Sequence, residues 1–370
     1  MDPDRVDPLG AGLLEQAGWC DQLDAPFTAG LLRTLAGALR TEVDRLVAPL
    51  GPAWSVRARS DALALRLAGA LHTLVLAGRA PGLAPWWPPV ARSMAPGDGF
   101  ARAVGAALDE HAAELRAHLQ HPPQTNEVRR SAVLLGGYAE IARRTGLPLA
   151  LHEIGASAGL NQLWDRFAYR LTRLTREDPL PPLAWGPVDS PVPLTAQWEG
   201  PAPDLSVPIA VSRRAACDLA PIDLDDEAAR TRLMGWVWPE QTERMDRLRS
   251  AIELARARRL PAPEAADAAE WVERRLQARS AGECWVLVHS VVWQYLPPAT
   301  QQRIAQAMED AGRNADPSRP LAWLRMEPPV PEASQELRLR LWPTGQDERL
   351  GTAHPHGQWL RWCAPDQRRL

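Results

Sequence analysis

Residues 147–161 read Leu147-Pro148-Leu149-Ala150-Leu151-His152-Glu153-Ile154-Gly155-Ala156-Ser157-Ala158-Gly159-Leu160-Asn161, and their reading decides the fold. A short apolar run ends on an acid, Glu153. A turn of small residues follows from Gly155 to Gly159, and Leu160–Trp164 then has helix-like composition. The pattern predicts strand, tight turn and helix, an arrangement that brings backbone N–H groups at a helix N-terminus close to a ligand. Gly155 and Gly159 suit that turn because they tolerate positive φ and put no Cβ in a ligand's way.

Downstream, helices and strands alternate as in a parallel α/β sheet. Pro148–Glu153 is the first expected strand. A Pro-rich insertion at 178–208, with Trp185 and Trp198, is expected to hold a hairpin. Ile209–Asp218 reads as a strand ending on an acid, Glu227–Arg258 as one long helix, and the stretch near Leu260 as a weak strand. Asp267 precedes a further helix. Cys284–Val292 is the clearest buried strand, Pro298–Ala311 its helix and Leu321–Met326 another strand. Glu336–Trp342 and Gln358–Trp362 are expected to pair antiparallel.

Upstream the pattern is helical. Phe27–Leu46, Asp61–Leu76 and Ala101–Leu119 repeat apolar residues at helical spacing, and the prolines of Pro81–Pro96 require a loop. After His121-Pro122-Pro123 breaks the chain, Gln124-Thr125-Asn126-Glu127 resembles a capped start to a helix ending near Thr145. The expected organisation is a helical domain or cap over 1–121 and an α/β domain over 122–370.

Composition narrows the function. The 370 residues carry a net charge of -3, which gives no electrostatic case for nucleic-acid binding. Apolar stretches such as Leu63–Ala77 are too short to span a bilayer, and Met1–Arg5 does not resemble a secretory leader, so a cytoplasmic location is expected. Cys20, Cys217, Cys284 and Cys363 form no C-x-x-C and read as reduced thiols. All 42 basic residues are Arg, which removes P-loop and Schiff-base lysine chemistry. Most of the 16 Trp are expected in the core.

Glu153-Ile154-Gly155-Ala156-Ser157-Ala158-Gly159 resembles the acid-x-Gly-x-Gly/Ser/Ala-x-Gly motif of class I, Rossmann-like S-adenosylmethionine-dependent methyltransferases. The resemblance implies a doubly wound, mostly parallel sheet with ligand contacts at the carboxyl ends of its first four strands and a terminal antiparallel hairpin. Glu153 would then orient the cofactor's methionine end, with Gly155, Ser157 and Gly159 in the cofactor turn. Asp218, in Cys217-Asp218-Leu219-Ala220-Pro221, would grip the ribose hydroxyls, because a carboxylate can accept two hydrogen bonds from a vicinal diol. Asp267 would meet the adenine amine. His289 would be the base, and Trp293, Gln294 and Tyr295 would line a small-molecule pocket closed by the helical cap and the insertion. Over about 124–365, and with Thr125-Asn126-Glu127-Val128-Arg129, the chain also resembles an uncharacterised bacterial domain-of-unknown-function family.

Plainer readings stand beside these. Asp218 suits a turn cap, Asp267 a helix N-cap, and His289 a satisfied core histidine. His354-Pro355-His356 lacks a third metal ligand at useful spacing and reads as a turn. Gly155-Ala156-Ser157-Ala158-Gly159 also matches the G-x-S-x-G nucleophile elbow of α/β-hydrolases, with Ser157, Asp267 and His289 or His354 as the triad. Against that, no oxyanion segment of the His-Gly-Gly-Gly type precedes it and the upstream sequence is helical. A third class is a nucleotide-like binding module without turnover.

Overall fold

Apolar periodicity interrupted by Gly and Pro shapes the first of two compact units, residues 1–125 with 225–249. The computed structural model describes residues 7–51, 54, 62–90, 97–174, 180–201, 203–330 and 334–363. Met1–Arg5, Asp61, residues 91–96, Asp178 and Pro179 therefore lie outside the described residues. Helix α1 (Pro8–Gln22) starts behind Asp7, whose carboxylate accepts from the Gly10 amide at 3.1 Å and satisfies one of the free N–H groups of the first turn. The single helix expected over Phe27–Leu46 is two, α2 (Pro26–Ala36) and α3 (Arg40–Val47), broken at Gly37. Helix α4 (Leu63–Leu76) buries Leu63, Leu67, Leu71 and Leu74 along one stripe. Helices α5 (Asp98–Glu110) and α6 (Ala112–Leu119) meet at His111, inside the expected Ala101–Leu119 helix.

The long helix expected over Glu227–Arg258 is also divided, into α8 (Glu227–Gly235) and α9 (Thr242–Ala257). Pro239 lies between them and has no N–H to continue the helical ladder. Residues 225–249 belong to the helical unit. There Trp236 fills the space left by Gly69, where a Cβ would overlap its ring, and His72 Nδ1 lies 2.8 Å from the Val237 carbonyl.

The second unit, residues 126–224 and 250–370, carries an eleven-stranded sheet. Its strands are β1 (Leu149–Ile154), β2 (Ala168–Leu174), β3 (Leu180–Trp185), β4 (Pro193–Glu199), β5 (Val211–Asp218), β6 (Glu264–Ala265), β7 (Cys284–Ser290), β8 (Leu321–Glu327), β9 (Gln335–Trp342), β10 (Gln346–Ala353) and β11 (Trp359–Trp362). They lie in the order β3-β2-β4-β11-β10-β9-β8-β7-β1-β5-β6. Strands β6, β5, β1, β7 and β8 are mutually parallel. From β1 the chain winds outward to β5 and β6 on one side, then returns to β7 and β8 on the other. The order thus reverses between β1 and β7, the switch point at whose carboxyl ends open α/β sheets bind ligands.

Burial on both faces explains why β1 has no polar alternation: all six of its residues are buried. On β8, Leu321 and Trp323 join Trp271 of α10 (Ala268–Leu276) and Ile304 and Met308 of α11 (Pro298–Arg313) in one core. The intervening Leu324 packs instead on Gly137 of α7 (Ser131–Thr145), where a Cβ would overlap it. Neighbouring residues on a strand face opposite ways, so α7 covers one face while α10 and α11 cover the other. Tryptophans do fill cores, with Trp87, Trp164, Trp198, Trp271 and Trp285 among the largest fully buried side chains.

Two further expectations need correction. Strands β9 and β11 do not pair with each other, because β10 lies between them and is antiparallel to both. The insertion is more than a hairpin: β3 pairs antiparallel with β2, β4 pairs parallel with β2, and β4 joins β11, extending the main sheet. The helix expected after Gly159 is present as a 3-10 helix, Leu160–Arg166.

Candidate functional site at the carboxyl edge of the sheet

Three acids end adjacent strands on one edge. Glu153 is the penultimate residue of β1, Asp218 the last of β5, and Asp267 follows β6 by two residues. The parallel register pairs Glu153 with Ala216 and Asp218 with Ala265, which aligns the three strand ends. Glu153 is the buried member. Loss of solvent pushes its carboxyl up to about 7, against the Gln162 amide, whose Nε2 donates to Oε2 at 2.8 Å. Asp218 raises it further and Arg130 lowers it.

The turn from β1 is left-handed at Gly155 (φ 64°), Ser157 (φ 56°) and Gly159 (φ 74°). Glycine is required at 155 for a second reason, since a Cβ there would overlap the Val292 side chain. Ser157 accepts a conformation that costs a non-glycine residue energy. What holds it is Asp218: Oδ2 accepts from Ser157 N at 2.8 Å, and Oδ1 accepts from Ala220 N at 3.0 Å. Leu160 N donates to Asn126 Oδ1 at 2.9 Å, and Gly159 N donates to the Ala156 carbonyl at 2.8 Å. These turn amides are therefore bonded within the protein. The Arg214 guanidinium fixes the following 3-10 helix to β5 through the Gln162 carbonyl at 2.7 Å and Asp165 at 2.6 Å.

Two buried polar atoms of this segment have no protein partner, Ser157 Oγ and Gln162 Oε1, the latter on the side chain hydrogen-bonded to Glu153. Gln162 Oε1 can only accept, whereas the Ser157 hydroxyl can donate or accept. An unpaired buried polar group is costly, so Gln162 Oε1 favours an entering N–H or O–H donor and Ser157 Oγ a polar partner of either kind.

Asp267 caps α10, with Oδ1 accepting from Ala269 N at 2.9 Å and Glu270 N at 3.1 Å. His289 is buried at the end of β7, its Nδ1 2.6 Å from Glu327 Oε1, while its Nε2 accepts from the Trp323 indole N–H at 3.0 Å. An indole can only donate, so Nε2 is unprotonated and the proton sits on Nδ1. Both ring nitrogens are thus committed, and His289 has no lone pair to offer a substrate proton. Trp293 stacks on His289 with ring centroids 5.1 Å apart, and Gln294 and Tyr295 are exposed. His354 Nδ1 accepts from His356 N at 3.0 Å within a turn. Among the described residues, no group of three or more His, Cys, Asp or Glu is placed to hold a metal, and no helix is long and apolar enough to cross a membrane.

Sequence reading missed Gln162, Asn126 and Glu327. Glu327 ends β8 on an acid as Asp218 ends β5, a signal present in Leu321–Glu327. Gln162 and Asn126 carry no comparable local mark. One family profile matches residues 11–362, nearly the whole chain. The chain belongs to DUF2332, a family of uncharacterised proteins conserved in bacteria. No curated protein and no solved structure matches it. In DUF2332 terms, the helical unit from residue 11 onward and the whole sheet fall within the family's span, including the Pro-rich insertion.

Proposed function

We propose that the chain binds S-adenosylmethionine at the carboxyl edge of β6, β5, β1 and β7 and transfers its methyl group to a small-molecule acceptor. One observation carries this reading: the glycine turn is lined by acceptors while its Ser157 and Leu160 amides are bonded to Asp218 and Asn126. Phosphate-binding turns offer free N–H groups to an anion. This edge instead carries Glu153, Asp218 and Asp267 and the unpartnered Ser157 Oγ and Gln162 Oε1. It suits a ligand with cationic and hydroxyl donors and repels a pyrophosphate.

S-adenosylmethionine has that character, with a sulfonium, an ammonium, a vicinal diol and no phosphate, and when bound it supplies an already activated methyl group. Glu153 and Gln162 would accept from the ammonium. Asp218, at the end of β5, would accept from the hydroxyls, as a carboxylate can accept two hydrogen bonds from a vicinal diol. The chain's contribution is to hold and orient the two reactants and to exclude water. Isothermal calorimetry with S-adenosylmethionine, S-adenosylhomocysteine, ATP and NAD tests the reading. Heat with the first two and none with the phosphate-bearing pair is expected; no heat with either of the first two overturns it.

A further inference from the structure

The loop after β7 is strained. Val291 lies at φ 55°, in the left-handed region that a β-branched side chain rarely enters. Such a conformation persists only where its surroundings over-determine it, and it marks places where geometry serves a purpose. Here the surroundings are specific. Glu327, at the end of β8, accepts from Val292 N at 3.2 Å on either oxygen and from Trp293 N at 3.3 Å on Oε2. Its Oε1 also lies 2.6 Å from His289 Nδ1. His289 is itself fixed by the Trp323 indole and stacked on Trp293. A second anchor comes from α11, where Gln301 Nε2 donates to the Trp293 carbonyl at 2.8 Å and the Leu296 carbonyl at 3.1 Å.

The strained loop touches the site directly. Val292 packs against Gly155, the first residue of the glycine turn, so closely that a Cβ on Gly155 would overlap it. The same loop carries the exposed Gln294 and Tyr295, and β7 is the immediate neighbour of β1. One carboxylate therefore joins β8, the end of β7 and the loop that shapes the ligand edge.

We infer that Glu327 is a positioning residue: it clamps the strained 291–295 loop onto the glycine turn and so fixes the wall of the ligand edge that Gln294 and Tyr295 present. The clamp stands on the hydrogen bonds alone. That the edge takes S-adenosylmethionine rests on the proposed function above. Releasing the clamp should let Val291 relax out of its left-handed conformation, moving Val292 off Gly155. A glycine at 291 takes positive φ without strain and should hold the loop in place even when the clamp is weakened.

Hydrogen–deuterium exchange on the full chain without ligand reads the clamp. In Glu327→Gln an NH2 group replaces one oxygen that the loop amides need. The Val292 and Trp293 amides should exchange at least about tenfold faster, while the β1 amides keep their protection. Adding Val291→Gly to Glu327→Gln should restore most of that protection, which a merely structural lesion would not allow. Unchanged exchange in Glu327→Gln, or no rescue by Val291→Gly, overturns the clamp. Where Glu327→Gln does not fold, Val291→Gly in the wild-type background decides: slower loop exchange supports the clamp, equal or faster exchange overturns it. S-adenosylhomocysteine affinity is measured on the same proteins, with a loss of at least about tenfold in Glu327→Gln and recovery in the double variant expected. A loosened loop with unchanged affinity overturns the loop's role at the ligand edge. A wild type that binds no S-adenosylhomocysteine overturns the methyl-donor reading and leaves the exchange result standing.

Discussion

Glu153→Gln separates what the buried acid costs the fold from what it does for a ligand. Burial pushes the Glu153 carboxyl from 4.5 up to about 7 by removing water from the charged form. For an acid with a raised folded-state pKa, the neutral form is favoured by folding. Its contribution is fully present below pH 4.5, declines as pH rises, and is gone above about pH 7. At about 1.4 kcal/mol per tenfold change in proton affinity, the gap amounts to about 3 kcal/mol of stability forgone at pH 8. Glutamine keeps an oxygen and the side-chain shape but does not titrate. The variant should therefore match wild type at pH 4 and exceed it at pH 8 by up to about 3 kcal/mol. For a unit of this size that is about 6–12 °C in Tm. Thermal melts in buffers from pH 4 to 8.5 provide the assay. A variant whose Tm follows the wild-type pH profile, or that melts lower at pH 8, refutes the burial argument. Chains keep a destabilising group where function needs it, so the same variant should bind S-adenosylmethionine at least about tenfold more weakly.

Asp218→Ala removes the carboxylate that accepts from the Ser157 and Ala220 amides. It should cost about 2 kcal/mol, or about 4–8 °C in Tm, with Asp218→Asn in between; unchanged melts would remove Asp218 as the turn's clamp, and paired titrations show whether affinity falls with it. In the helical unit, burial lowers His72 and His118 to about 4 each, with His118 Nε2 unpartnered and its ring 4.7 Å from Trp236. Both stay neutral in the fold, so their contribution is intact above pH 6.5 and lost as pH falls through about 4, at about 3 kcal/mol apiece. Helical circular dichroism should collapse across that window. His118→Phe should shift the midpoint to lower pH, and an unmoved midpoint would count against the assignment.

The strands were legible where burial leaves a compositional mark. Leu149–Ile154 and Cys284–Ser290 are continuous apolar runs because both faces of the central parallel sheet are covered. Strand β10, Gln346–Ala353, escaped notice because its first half is polar and largely exposed, and only Leu350, Gly351 and Ala353 are buried. The insertion strands alternate, as in Pro193–Glu199, but nothing local says that β4 will pair with β11. The helix breaks at Gly37 and Pro239 had ordinary local signals, overridden by apolar spacing that continues across them.

The glycine turn was legible as geometry and ambiguous as chemistry, and the reason is physical. Its letters predict the positive φ angles at Gly155 and Gly159, which follow from the missing Cβ. Whether the turn's amides face a ligand is decided by groups far away in sequence. Asp218 reaches Ser157 N across 61 residues and Asn126 reaches Leu160 N across 34. The same five letters with free amides would attract a phosphate. With those amides taken, and with Ser157 Oγ and Gln162 Oε1 left unpartnered, the turn offers a ligand side-chain groups rather than backbone N–H groups. A nucleophile elbow demands something different again, a histidine on the serine. Ser157 Oγ is buried without a partner, and both nitrogens of His289 are held by Glu327 and Trp323. The distinction among three chemistries thus rests on side chains outside the motif, which is why Asp218, Asn126 and Glu327 are the positions where substitution is most informative.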